Sequence, residues 1–365
     1  MSAERWILVT GATGLLGREV LARLLAADAR LHAFVLVRDA SRWPEAAREL
    51  GACRAVPLTG DLCTVDLGLT PDVRAALRQR VTAIVHLAAD TTFSAPLEHA
   101  RAVNTDGTRR LLELAADCVS RVRIAYVSTA FVAGRRTGMI AEDAAAATEG
   151  WVNAYEQSKY EAEQLVRERA ASWVMLRPST VVCDDVDGRI TQMNAVHRAL
   201  RLYHGGLAAM MPGVAGSTVD VVTTTYVAGA IARLALREDT SGQIVHLCAG
   251  DAALPLDELL DITYERWARD PEWRRRGIAR PAVTDPTTYS LFERTIDEVG
   301  DPSLKRLTRA LSHFVPQLAL PKRFATTNAE ALLGHSSPPV RAFWLPMLDH
   351  LLASRQRTRA MEVAA

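Results

Sequence analysis

The chain has 365 residues, 23% of them charged, and a formal net charge of +1. That length supports one large domain, or one domain with a smaller partner. The near-neutral balance and 6% aromatic content exclude a basic, base-stacking surface, so no nucleic-acid partner is expected.

The start, MSAERWILVTGATG, lacks the basic, apolar and small-residue order of a secretory signal and runs into a first buried strand, RWILVT (5–10). The turn TGATGLLG follows, then the helical pattern LLGREVLARLLAA, with Leu16, Val20 and Leu24 on one face. HAFVLVR (32–38), CRAVPLTGDL and TAIVHLAAD (82–90) predict strands two to four. A long amphipathic helix is predicted over 98–118, a fifth strand at VRIAYVST (122–129), and a helix over 151–171 that leads into WVMLRP (173–178). Continuously apolar strands separated by helices predict an α/β fold, a Rossmann-type doubly wound parallel sheet covered on both faces. Beyond Pro178, a helix over 189–204 stops at Gly205-Gly206. VDVV (219–222), a helix at 224–237 and QIVHLCAG (243–250) predict late returns to the same sheet. The proline-bearing stretch 270–290 predicts a surface excursion, followed by a mostly helical region on the substrate side. Five widely spaced cysteines offer no close pair for a metal, so no metal site is expected, and inert thiols fit a reducing, cytoplasmic compartment. No stretch is long and apolar enough to predict a spanning helix.

Gly11, Gly14 and Gly17 stand between a strand and a helix. Glycine at 11 permits a tight turn, at 14 a close backbone approach to a pyrophosphate, and at 17 close packing of helix on sheet. The helix N-terminus then presents unpaired N–H groups to the phosphates. Thr13, Leu15 and Leu16 complete this cofactor-facing turn, and the alternative is a merely structural one. Arg38 ends the second strand and offers a guanidinium fork to a 2′-phosphate, which favours NADPH over NADH. Asp39 beside it counts against that reading, and an exposed loop arginine is the competing account. Asp61 and Leu62 are positioned to border the adenine, and Leu87, Ala88 and Ala89 to line the middle of the cofactor.

YEQSK places Tyr155 and Lys159 four apart on one helix, hence on one face. Only three of the 43 basic residues are lysines: Lys159, Lys305 and Lys322. A reductase needs a proton for the oxygen that gains charge as hydride arrives, and a phenol supplies one. A neighbouring ammonium favours the phenolate. The competing reading is a solvent-facing YxxxK pair. The strand end with Ser128 and Thr129 is placed to meet the same helix face, on the substrate side.

In order, TGATGLLG, HLAAD, NTDGT (104–108), YVSTAFVAG, YEQSK and LRPSTVV make residues 5–250 resemble an extended short-chain dehydrogenase/reductase. LVR at the second strand end, GDL followed by LGL, and YVSTAFVAG resemble its thioester reductase and fatty acyl-CoA reductase branch. The segment 314–334 is weakly similar to the C-terminal portion of fatty acyl reductases. The resemblance implies a catalytic hydroxyl at Thr129, a catalytic tyrosine at Tyr155 and a lysine at Lys159. It also implies Asn104 at the nucleotide side of the site and Pro178, Ser179, Thr180 and Val181 beside the nicotinamide. Cys183 departs from the glycine many relatives carry there. The implied reaction is NADPH-dependent reduction of an acyl thioester, on coenzyme A or a separate carrier protein, to an aldehyde or, with a second hydride, to the alcohol. The expected organisation is a catalytic, NADP-binding core over 1–182, pocket elements with late strands over 183–270 and a helical region over 271–365, as a monomer or homodimer.

The apolar stretch 193–213 predicts an acyl pocket that includes Met193, His197, Tyr203 and Met210, with Glu142 bordering it; simple core packing is the alternative. His86 reads as a core residue rather than a base. Two rival functions stay open. One is a reductase or dehydrogenase of a ketone, hydroxyl or nucleotide-sugar substrate, and the other a non-catalytic dinucleotide-binding regulator.

Overall fold

Seven strands form one parallel sheet: β1 (Arg5–Thr10), β2 (Leu31–Val37), β3 (Ala55–Thr59), β4 (Val81–His86), β5 (Arg123–Val127), β6 (Ser172–Pro178) and β7 (Gln243–Leu247). Their order is β7-β6-β5-β4-β1-β2-β3. This computed structural model describes residues 4–43, 47–48, 53–144, 149–214, 216–299, 305 and 315–364. Phe314 of the 314–334 segment lies outside the described residues.

Side chains of successive strand residues point to opposite faces, so an apolar run fills two cores. Ile7, Val9, Ala33, Val35, Val85 and Val174 join one cluster, beneath helices α1 (Leu15–Ala27) and, late in the chain, Thr224–Leu234. Leu8, Phe34, Ile84, Tyr126 and Met175 join the other. That second face is covered by α2 (Pro71–Arg80), α3 (Leu97–Ala116) and α4 (Ala154–Arg169), through Leu77, Leu111, Leu112, Ala162 and Val166. Strand order turns back at β1, between β2 on one side and β4 on the other. A parallel sheet opens a crevice at the carboxyl ends of its strands at such a point.

Two expectations are corrected. VDVV does not rejoin the sheet: Val221–Thr223 pairs in parallel with Thr180–Cys183, and Thr218–Val219 pairs with Leu254–Pro255. The main edge is already taken by β7 on β6. The 270–290 stretch is more than an excursion. Ala282–Thr284 pairs with Met210–Pro212, and Trp273 is buried against Tyr203 and Trp267. The C-terminal region docks in the same way, Lys322–Phe324 pairing with Gly138–Ile140. No helix among the described residues is long and apolar enough to cross a membrane.

Candidate active site

The crevice at the strand ends is a cleft of about 500 Å³. The glycine turn, Thr13, Arg38, Asp61, Leu62 and the Leu87–Asp90 segment line it. Two glycines are sterically required. Gly11 sits at φ +74°, and a Cβ on it would meet the Ala88 nitrogen at 2.6 Å. A Cβ on Gly17 would meet the Gly11 carbonyl oxygen at 2.0 Å. Helix α1 is capped by Gly14, with no side chain accepting from its first N–H groups. Uncapped donors of this kind are what such a turn offers to a pyrophosphate. The residues present therefore fit a dinucleotide. Leu15, Leu16 and Gly17 belong to the first turn of α1 rather than to the cleft wall, with Gly17 buried. Gly60, Cys63, His99 and Val103 also line the cleft, and sequence reasoning missed them.

A hydrogen-bonded chain ties this cleft to α4. The Ala88 amide donates to Thr10 Oγ1 at 3.2 Å, and Thr10 Oγ1 lies 2.6 Å from His86 Nδ1. His86 Nε2 lies 3.1 Å from Thr108 Oγ1, which donates to the Asn104 carbonyl at 2.6 Å. Burial pushes His86 down to about 3, with the Lys159 charge adding to it, so the ring is a neutral strut. The Asn104 side chain accepts from Asp90 N at 2.8 Å and donates to Ser158 Oγ at 2.9 Å. Ser158 Oγ in turn donates to the Tyr155 carbonyl at 2.9 Å.

Helix α4 begins at an Asn153 cap whose side chain accepts from Glu156 N, and this fixes the entry of the helix. Tyr155 and Lys159 are both buried on it. Thr129, which follows β5, stands beside the Tyr155 phenol and acts to lower its pKa. Phe93, just past the cleft wall, packs tilted against the Tyr155 ring, with centroids 5.5 Å apart. Burial pushes the phenol up to about 12, opposed by Thr129, with the Glu156 charge raising it further. This differs from the sequence expectation of a phenol lowered by Lys159. The Lys159 ammonium donates to the Val127 carbonyl at 2.8 Å and lies 4.1 Å over the Tyr126 ring. Burial dominates its charge too, lowering it to about 7 against the pull of Glu163. Ser128 is buried beside Thr129, and its hydroxyl has no partner among the described residues.

Pro178 ends β6, Ser179 is buried, and Thr180 and Val181 open the short strand paired with Val221 and Val222. Of the predicted pocket residues, Tyr203 lines an apolar cavity of about 50 Å³ with Val196, Leu200, Met211, Leu256 and Trp344. Met193 packs on the core and Met210 on Leu202 and Tyr289, outside that cavity. His197 does not face a pocket. It is fully buried, accepts from Asn194 N at 3.0 Å in a capping box, and lies 2.6 Å from the Val182 carbonyl. Glu142 also serves the fold: its carboxylate accepts from the amides of His246, Asn328 and Ala329. Among the described residues no cluster of His, Cys, Asp or Glu is placed to hold a metal.

The chain is 33% identical over 156 residues to the Drosophila melanogaster protein CG8303, named as a fatty acyl-CoA reductase. That match covers 39% of this chain and 29% of the fly protein. It is 27% identical over 324 residues to the highly reducing polyketide synthase calA of Penicillium decumbens, 83% of this chain and 11% of the synthase. The chain thus spans less than a third of either relative. The terminal R domain from the myxalamid PKS-NRPS biosynthetic pathway superposes with a TM-score of 0.78 at 26% identity, covering 98% of this chain and 92% of the domain. The NAD_binding_4 family model, described as male sterility protein, matches residues 9–231. With most of the chain inside that match, the protein belongs to this family of NAD(P)-binding oxidoreductases, within the extended short-chain dehydrogenase/reductases.

Proposed function

We propose that the chain reduces an acyl thioester, on coenzyme A or a separate carrier protein, to an aldehyde and on to the alcohol, with NADPH as reductant. One observation carries the reading: a buried Thr129–Tyr155 hydroxyl pair, next to a cleft that fits a dinucleotide. The relatives named for fatty acyl-CoA reduction and polyketide synthesis, and the R domain with its close superposition, support a thioester over other carbonyls.

The bound dinucleotide supplies the hydride. The α1 N-terminus with Gly11, Thr13 and Gly14 would receive its pyrophosphate, Asp61 and Leu62 would border its adenine, and Leu87 to Ala89 would line its middle. Asn104 holds the loop at Asp90 beside this cleft, and Pro178 to Val181 would flank the nicotinamide. A carbonyl carbon that gains hydride leaves negative charge on its oxygen. Thr129 and Tyr155 donate to that oxygen from fixed positions, which is the kind of preorganised polarity that contributes most to rate. Tyr155 is fully protonated at neutral pH, so it gives up its proton as an acid. Lys159, one turn along, would reach the ribose hydroxyls of the bound nucleotide. On collapse the C–S bond breaks with its electron pair on sulfur, the hydroxyl proton returns to Tyr155, and sulfur takes a proton from solvent.

The test is NADPH oxidation against acyl-coenzyme A, acyl-carrier-protein, aldehyde and ketone substrates, with products identified. Thioester-dependent oxidation that yields aldehyde or alcohol is expected, and robust ketone reduction with every thioester inert overturns the reading. Cofactor choice rests on Arg38, exposed on the cleft wall. A charge-assisted hydrogen bond contributes about 1.5–3 kcal/mol, so R38S should weaken NADPH binding roughly tenfold or more and leave NADH binding unchanged. Fluorescence titration of both nucleotides checks this, and an unaltered NADPH preference removes Arg38 from the role.

A further inference from the structure

Lys159 is not the only buried lysine. Lys322 is 6% exposed, in a chain that otherwise meets nearly every need for a cation with arginine. It opens the short strand that docks on Gly138–Ile140, and the Thr218 hydroxyl donates to its carbonyl. Its ammonium donates to Gln317 Oε1 at 2.6 Å. The Gln317 amide nitrogen donates in turn to Glu156, the residue after Tyr155, itself 1% exposed.

Lys322 and Gln317 wall a cavity of about 30 Å³ together with Phe131, Thr180, Val219 and Leu318. Phe131 ties this wall to the catalytic strand end, its amide donating to Thr129 Oγ1 at 3.3 Å. Val219 and Leu318 are walls both of this cavity and of the apolar one. A chain leaving a carbonyl held at Thr129 therefore passes polar donors first and apolar walls second.

We propose that this passage selects acyl thioesters with a neutral oxygen acceptor, a carbonyl or hydroxyl, close to the thioester and an apolar terminus beyond it, with Lys322 as the specificity-determining donor. The proposal rests on the thioester reading and narrows it. An ammonium has three hydrogens to donate. Among the described residues Gln317 takes one, which leaves two for a guest. An all-methylene chain would bury that ammonium against hydrocarbon, whereas an oxygen at that point satisfies it. A second carboxylate is not called for. Glu156 already supplies negative charge to the cluster, and Asp220, whose carboxylate accepts from the amides of Ala249 and Gly250 at 2.8 and 3.0 Å, stands in the wall of the same cavity. The apolar cavity, about 50 Å³ against the ~150 Å³ that takes a benzene, receives only a short terminus as it stands.

The experiment compares thioesters of one chain length, on coenzyme A and on a carrier protein: unsubstituted, 3-oxo, 3-hydroxy and ω-carboxyl. Wild type should favour the 3-oxygenated members by roughly tenfold or more in kcat/KM, because a site built around a hydrogen bond rejects the analogue that lacks it. The difference should lie mainly in KM. In K322M, with folding verified by its melting transition, the ratio should fall towards one. If K322M does not fold, the wild-type ratio decides. Equal use of unsubstituted and 3-oxygenated chains overturns the proposal, as does a preference that survives in folded K322M or one for the ω-carboxyl member. Those outcomes still include thioester turnover, which separates them from failure of the underlying reading. If no thioester is reduced, both fall.

Discussion

Y155F should lose at least ~10²-fold in kcat/KM for reduction while nucleotide binding stays at the wild-type level. The substitution removes one hydroxyl and keeps the ring, so the Phe93 contact and the burial of the side chain survive. What goes is the hydroxyl that stands beside Thr129. A missing donor to a developing oxyanion costs on the order of 10²–10³ in rate by itself, and loss of the proton source adds to that. Because the phenol is pushed up to about 12, the pH profile of wild-type kcat/KM should carry no limb from Tyr155 below pH 10. Single-turnover rates with saturating NADPH, set beside nucleotide titrations, measure both halves of the expectation. Wild-type turnover by Y155F on any substrate would remove Tyr155 as the proton donor, and a matching loss of NADPH affinity would reassign it to cofactor binding.

What the sequence made legible is what repeats or what chemistry restricts to few residue types. Alternating apolar strands carry their own period, and the order of strands and helices left little choice beyond a doubly wound sheet. The glycine turn was readable because only glycine tolerates a Cβ-free approach of 2.0 Å at Gly17 or a φ of +74° at Gly11. Long-range pairings were not readable. Nothing in KRF or GMI announces that Lys322–Phe324 lies along Gly138–Ile140, and nothing in TVVC announces that it draws Val221–Thr223 off the main sheet. His197 looked like a pocket residue in a methionine-rich stretch, but Asn194 three positions earlier marks a helix start. That spacing was the available signal for a cap. Lysine scarcity singled out Lys159. The same reasoning, carried to the end of the chain, singles out Lys322, whose burial depends on a contact with Gln317 that no sequence period encodes.

The second large effect expected is on stability, at a pair that joins the catalytic helix to the sheet. Tyr155, Lys159 and Glu163 lie one above another on α4. Glu163 is 1% exposed and takes a two-pronged contact from Arg177, itself 5% exposed, with Nη2–Oε2 at 2.6 Å and Nε–Oε1 at 2.9 Å. Arg177 also donates to the Asp143 carbonyl at 2.9 Å and stands next to Pro178, where β6 ends. Removing one partner leaves the other charge buried and unpaired, which costs about 3–5 kcal/mol. R177M should therefore unfold at a much lower urea midpoint with an unchanged slope, since the surface exposed on unfolding is nearly the same. Replacing both members, E163L with R177M, should recover most of that loss, because an apolar pair in place of a buried ion pair is often neutral. Activity should not recover with it. Glu163 is the carboxylate that holds Lys159 charged against its burial, so in the double variant Lys159 falls further below about 7 and is neutral at physiological pH. A variant that is stable again yet still slow separates the electrostatic role of Glu163 from its packing. Full recovery of both stability and rate would mean that the Lys159 charge is not what the catalytic helix needs.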